Sequence, residues 1–270
     1  MTQERYALFL GASNTFGVGL HTFRDVYMSE EGANKLRWPY NQSLQHDNPF
    51  IYENRWTNIV SKYINRKEIN IAEVGGSPAE SLHKLEIYEP LTNIDYIFFE
   101  FSAIYSYFDK YLHNTHYPKT PHEIERFLTN GRNDKPELRE RIINWLVNYN
   151  PEEFINEVLI ILKSKLEALE DKKIIILLWR DCRIDVESVE HSWLKKYLVK
   201  FPTQQDENNY IVQNLIEERK LRVMDEYPFF HILQRNYPET KDIHAGLEGN
   251  KLVANIIINH LNEKKLIDSW

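Results

Sequence analysis

The chain has 270 residues, 42% of them hydrophobic and 27% charged, which is enough to bury a sizeable core in one large domain or two small ones. Its formal net charge of −7 argues against nucleic acid as a partner, since phosphate backbones call for a clustered excess of Lys and Arg. The one cysteine, Cys182, rules out an intramolecular disulfide framework and a cysteine-rich zinc site. No apolar run reaches the roughly 18–20 residues of a membrane span. The opening MTQERYALFLGAS has too short an apolar stretch for a signal peptide, so a cytoplasmic protein is expected.

In chain order, the first strand candidate is YALFL (6–10). It runs straight into Gly11-Ala12-Ser13-Asn14-Thr15-Phe16-Gly17, a stretch that takes two of the chain's nine glycines, with a third at Gly19. Residues 21–52 are rich in Tyr, His, Asn and Pro and carry no sustained period. A helix is expected over about 53–65, where Trp56, Ile59, Val60, Tyr63 and Ile64 recur at three- and four-residue steps. INIAEV (69–74) reads as a strand, and a helix over about 78–89 follows Ser77-Pro78. DYIFFEF (95–101) is the third strand. A second aperiodic tract spans 106–135. Helices are then expected over about 136–148 and 151–170, a strand at KKIIILLW (172–179), helices over about 187–199 and 206–219, a strand at LRVMD (221–225), and a closing helix in LEGNKLVANIIINHLNEK.

Five apolar runs alternating with amphipathic stretches predict an α/β protein, and runs apolar at nearly every position predict parallel strands buried on both faces. The expected architecture is a three-layer α/β/α, flavodoxin-like domain over 1–270, with loop insertions at about 21–52 and 106–135. Both insertions follow the C-terminal ends of strands, where open parallel sheets bind ligands.

Ser13 falls where a strand must turn sharply into a helix, and two readings of it stand. A helix N-terminus beside its hydroxyl suits a nucleophile whose product is an oxyanion; the same placement suits a helix cap. Asp242 and His244 stand just before the apolar C-terminal helix, in a position to supply an orienting carboxylate and a general base to a serine on the same sheet edge. Ser77 ahead of Pro78 reads as an N-cap. His113, His116 and His122 read as dispersed surface residues rather than metal ligands, and Cys182 as a bystander. Arg180 and Arg183 with Asp181 would either hold an anionic or sugar-like substrate or form a solvated ion pair.

Taken together, GASNTFG, the helix RWTNIVSKYI leading to INIAEVGGSPAES, the strand in DYIFFEFSAIYS and the closing DIHAGLEGNKLVANII resemble, in order and separation, the blocks of the SGNH/GDSL hydrolases. The resemblance implies Ser13 as nucleophile, His244 as base and Asp242 as its orienting partner. It implies an oxyanion hole from the backbone N–H groups of Ser13 and Gly76, with Gly75 the adjacent alternative, and no metal or organic cofactor. The chain departs from the family in three places. Ala12 stands where the first block has Asp, and Ser102-Ala103-Ile104-Tyr105 stand where the third block supplies an Asn amide, so either Ser102 or Tyr105 substitutes, or the hole rests on the Ser13 and Gly76 N–H groups, or activity is low; Asn14 is a further substrate or oxyanion contact. Asp242 is two residues before His244 rather than three, with Asp225 as the reserve carboxylate. The implied function is hydrolysis of an O-acyl ester on a carbohydrate or small metabolite. The alternatives are O-acyl transfer on the same fold and a binding or scaffold protein that has lost catalysis.

Overall fold

The structure, a computed structural model, describes residues 4–12, 15, 17, 20, 49–73, 76–88, 92–101, 107, 121–129, 135–178, 184, 186–199 and 247–267. The strands are β1 (Tyr6–Leu10), β2 (Lys67–Asn70), β3 (Ile94–Phe101), β4 (Lys173–Leu178) and the two-residue β5 (Leu198–Val199). They form one sheet in the order β2-β1-β3-β4-β5, the flavodoxin-like arrangement. The fold class is therefore the one expected: a parallel five-stranded α/β sheet with flanking helices. β1 pairs with β3 in the register Leu8↔Ile97 and Leu10↔Phe99, and β3 with β4 in the register Phe99↔Ile176 and Phe101↔Leu178. Seven of the eight β3 residues are buried, because a strand with neighbours on both sides and helices on both faces has no wet surface to offer. The Phe9 and Phe98 rings stack with centroids 4.6 Å apart.

The chain groups into two compact units, Met1–Ala12 with Ile71–Leu198, and Ser13–Asn70 with Val199–Trp270. In the first, α3 (Pro78–Tyr88) packs against β1 and β3 and against α6 (Pro151–Ala168). The long α6 starts cleanly. Asn150 accepts the Glu152 N–H at 3.1 Å, Pro151 opens the first turn, and Glu152 and Glu153 face the positive end of the helix dipole. The same unit holds α4 (Pro121–Thr129) and α5 (Pro136–Asn148), which share a small core of Tyr107, Ile124, Leu138 and Ile142.

In the second unit α1 (Pro49–Asn54) and α2 (Trp56–Tyr63) pack against the C-terminal α7 (Leu247–Glu263), and α2 packs on β2. The Arg55 side chain makes no cap for α2. That duty falls to Asn250, fully buried in α7, whose side-chain oxygen accepts the Trp56 N–H at 3.0 Å. Arg55 instead pairs with Glu68 at 2.8 Å, both side chains almost wholly buried. Thr57 also donates to Glu68, and the Asn70 amide donates to the Thr15 carbonyl at 2.8 Å and to the Thr57 hydroxyl at 3.2 Å.

Several expected elements change shape. The helix expected over 53–65 is two helices, broken where Arg55 turns extended to reach Glu68. The strand expected at 69–74 is β2 at Lys67–Asn70, although Ile71 and Glu73 still donate to the Phe9 and Gly11 carbonyls. The helix expected over 187–199 is a turn, a 3-10 helix at Ser192–Lys196 and then β5. There, the Ser188 hydroxyl accepts the His191 N–H and the Ser192 hydroxyl donates to Val189, side-chain bonds that compete with a regular helix. The aperiodic tract 106–135 contains α4, which was not expected. The helix at 206–219 and the strand LRVMD lie outside the described residues, as does 21–48 of the first insertion.

Candidate active site

The C-terminal edge of β1 is where the sequence puts its chemistry, and the first unit shows how the chain gets there. The β1–β3 ladder ends at Leu10↔Phe99. Beyond it the Gly11 carbonyl accepts the Glu73 N–H at 3.1 Å, and the Ala12 N–H donates to the Glu100 carboxyl at 3.1 Å. A backbone N–H leaving a sheet must find another acceptor or sit unsatisfied in the core. Here a side chain takes the place of the missing strand carbonyl, and the residue so held is the one immediately before Ser13.

The second loop on this edge is built as tightly. The Gly76 N–H donates to the Glu73 carbonyl at 2.9 Å, closing a turn. A Cβ at Gly76 would lie 2.9 Å from that same carbonyl and 3.4 Å from the Gly11 carbonyl, so close an approach of backbone to backbone admits only glycine. Ser77 is buried and accepts the Glu80 N–H at 3.2 Å, which makes it the N-cap of α3, as the sequence indicates. Lys84 ties the loop down from α3. Its ammonium donates to the Ile71 carbonyl at 3.1 Å and to Glu73 at 2.7 Å, and it pairs with Glu80 at 3.3 Å. Because the Gly76 N–H is committed to Glu73, an oxyanion at this turn has to share or displace that bond.

In the second unit, Gly17 is packed just as closely. Gly17 has φ of 96°, in the left-handed region, and a Cβ there would lie 3.3 Å from both Arg55 Cβ and Ile51 Cγ2. Strain and crowding both demand glycine at this position.

Of the site residues expected from sequence, Gly76 is described. Ser13, Asn14, Ser102, Tyr105, Asp242 and His244 lie outside the described residues, as do Gly75, Asp225, His113, His116, Arg180, Asp181, Cys182 and Arg183. His122 falls on α4. Glu100, Lys84 and Arg55 are the residues that sequence reasoning passed over. Glu100 had a signal: it is the lone charge among the last six residues of the buried strand, YIFFEF.

No protein-family model matches the sequence, and no curated protein does. The chain is similar in structure to solved lipolytic and esterase proteins at low sequence identity. A lipolytic protein of the G-D-S-L family from Veillonella parvula is 12% identical, with 94% of this chain and 97% of that one covered at a TM-score of 0.34. A carbohydrate esterase whose active site displays divergent catalytic and non-catalytic binding functions is 13% identical, with 99% and 68% covered at 0.47. A psychrotrophic esterase from a Pseudoalteromonas species, inhibited by monoethylphosphonate, is 9% identical, with 95% and 97% covered at 0.40. Among the described residues, no helix is long and apolar enough to cross a membrane.

Proposed function

We propose that this chain is a serine hydrolase that cleaves an O-acyl ester on a carbohydrate or small metabolite, within a single domain spanning 1–270. The observation that carries the reading is the corner after β1. The strand ends at the C-terminal edge of a parallel sheet, and its last backbone groups are pinned on both sides, by Glu73 and Glu100, directly ahead of Ser13. A corner held at Gly11 and Ala12 supports a reading of the next residue as a nucleophile, which needs a fixed approach to its substrate. The sequence supplies its partners.

In the proposed reaction the Ser13 hydroxyl attacks the acyl carbon while His244 takes its proton, and the carbonyl oxygen becomes an oxyanion. Asp242 orients the imidazole and stabilises its cation. Backbone N–H groups at Ser13 and in the Gly75-Gly76 turn receive the oxyanion, with Asn14, Ser102 and Tyr105 as neighbouring contacts. Collapse expels the alcohol with the proton held by His244 and leaves an acyl-serine. Water, deprotonated by His244, then releases the acid and restores Ser13. The scheme calls for no metal or organic cofactor, and its partner is the ester substrate.

The test is labelling with a fluorophosphonate probe. Wild type is expected to label, whereas Ser13→Ala and His244→Ala are not. A folded wild type that stays unlabelled sinks the proposal. That result would favour a binding or scaffold role, a second reading supported by the Gly76 N–H being engaged in its own turn. Product analysis in the presence of a sugar alcohol separates hydrolysis from acyl transfer.

A further inference from the structure

We infer that Glu100 is a positioning residue for the Ser13 corner, the side chain that fixes the direction in which the chain leaves β1. The inference rests on the proposed serine chemistry for its functional meaning, and on the fold alone for its geometry.

Glu100 is 1% exposed and stands one residue short of the end of β3. Strand side chains alternate between faces, so Glu100 belongs to the face that carries Tyr96 and Phe98, whose rings stack 6.3 Å apart. On that face Phe98 also stacks on Phe9. Aromatic packing therefore fills the face up to the sheet edge, and the next position outward carries a carboxyl instead of another ring. A carboxyl in such surroundings is costly unless hydrogen-bonded, and an apolar residue there would pack without that cost. What the carboxyl provides is an acceptor at the point where the ladder stops. The β1–β3 pairing ends at Leu10↔Phe99, and the Ala12 N–H, itself buried, turns onto Glu100 at 3.1 Å. With the Gly11 carbonyl held by the Glu73 N–H, the peptide leading to Ser13 is clamped by two bonds, one from the loop after β2 and one from the end of β3.

Glu100 acts through Ala12 and not on substrate. Removing it takes away the acceptor that holds the Ala12 N–H and so loosens the corner ahead of Ser13. Such a change lowers the rate of attack more than it alters KM, and a displacement of about 1 Å is worth on the order of a hundredfold in rate.

Glu100→Gln keeps an acceptor oxygen of the same reach, Glu100→Met removes it at similar volume, and Glu100→Asp draws it back by one methylene. In chains that keep wild-type circular dichroism, Met is expected to slow fluorophosphonate labelling of Ser13 and ester turnover by about tenfold to a hundredfold with KM near wild type. Gln should recover most of the loss. If the Met variant does not fold, Asp takes its place and is expected to show the same slowing. A folded Met or Asp variant that labels at the wild-type rate overturns the inference. Amide hydrogen exchange at Ala12 reads the clamp without any chemistry: protected in wild type and Gln, faster in Met or Asp. Should wild type itself fail to label, the hydrolase reading falls, and Ala12 exchange still decides whether Glu100 holds the corner. Equal protection in all variants overturns it.

Discussion

Replacing Glu68 by Met removes one partner of a buried ion pair in the second unit. Arg55 and Glu68 are paired at 2.8 Å with side-chain exposures of 5% and 1%. Among the described residues Glu68 is the hydrogen-bond acceptor for the guanidinium, whose Nε and Nη1 have none. Two unit charges about 4 Å apart attract by about 4 kcal/mol at an effective dielectric constant near 20. The Thr57 hydroxyl loses its bond to Glu68 as well, worth about 1 kcal/mol. Relaxation of Arg55 over the Tyr52 ring, 5.1 Å away, returns part of this. The expected net loss for Glu68→Met is about 3–5 kcal/mol, the usual consequence of leaving one buried charge without its partner.

The double variant Arg55→Met/Glu68→Met removes both charges. It should lie within about 1–2 kcal/mol of wild type, because a buried pair replaced by apolar groups is often close to neutral. Urea denaturation of wild type, the two single variants and the double variant gives the coupling directly. A single-variant loss below about 1 kcal/mol, or a double variant less stable than Glu68→Met alone, would refute the reasoning and reassign the site to packing.

Two further outcomes are expected. Gly76→Ala forces a Cβ to within 2.9 Å of the Glu73 carbonyl, an overpacking against backbone worth about 1–3 kcal/mol in denaturant titrations; no loss of stability would mean that the turn opens freely. His260 has its imidazole pKa lowered from 6.5 by burial first and by the charge of Lys264 second. The folded chain then binds fewer protons than the unfolded one, so this group's contribution to stability is present above about pH 6.5 and is lost as the pH falls through that value. His260→Gln should flatten the decline in melting temperature between about pH 8 and pH 5, and an unchanged slope would assign the decline to other groups.

What could be read from the sequence tracks how local the determinant is. β1, α5 and α6 come out with their residues nearly as expected, because an unbroken apolar run, or Pro at a helix start with an amphipathic period behind it, is a local signal. The break at Arg55 has no local cause. It comes from Glu68, which lies in a different element. β5 is two residues long, too short for any period to show, and Trp193, Leu194 and Tyr197 beside it imitate helical spacing. α4 was hidden by the Tyr, His and Pro around it, although its own stretch IERFL places Ile124, Phe127 and Leu128 at helical steps. At the candidate site, the N-cap at Ser77 was legible from the Ser-Pro pair. The clamp on Ala12 was not, since it is a tertiary bond that no spacing encodes, and the Gly76 N–H to Glu73 bond is a local turn that leaves no periodic mark.

Asn250 gives the chain a timetable. The first turn of α2 is completed by a side chain 194 positions further along, so a ribosome has made most of the protein before that helix end can be closed. Residues 71–198, by contrast, run without interruption within the first unit, and their helices and strands can pair as they emerge. Vectorial synthesis therefore favours the sheet's central strands settling first, with α1, α2 and β2 waiting for α7. A nascent chain stalled before residue 247 would hold Trp56 and its neighbours without the helix that covers them.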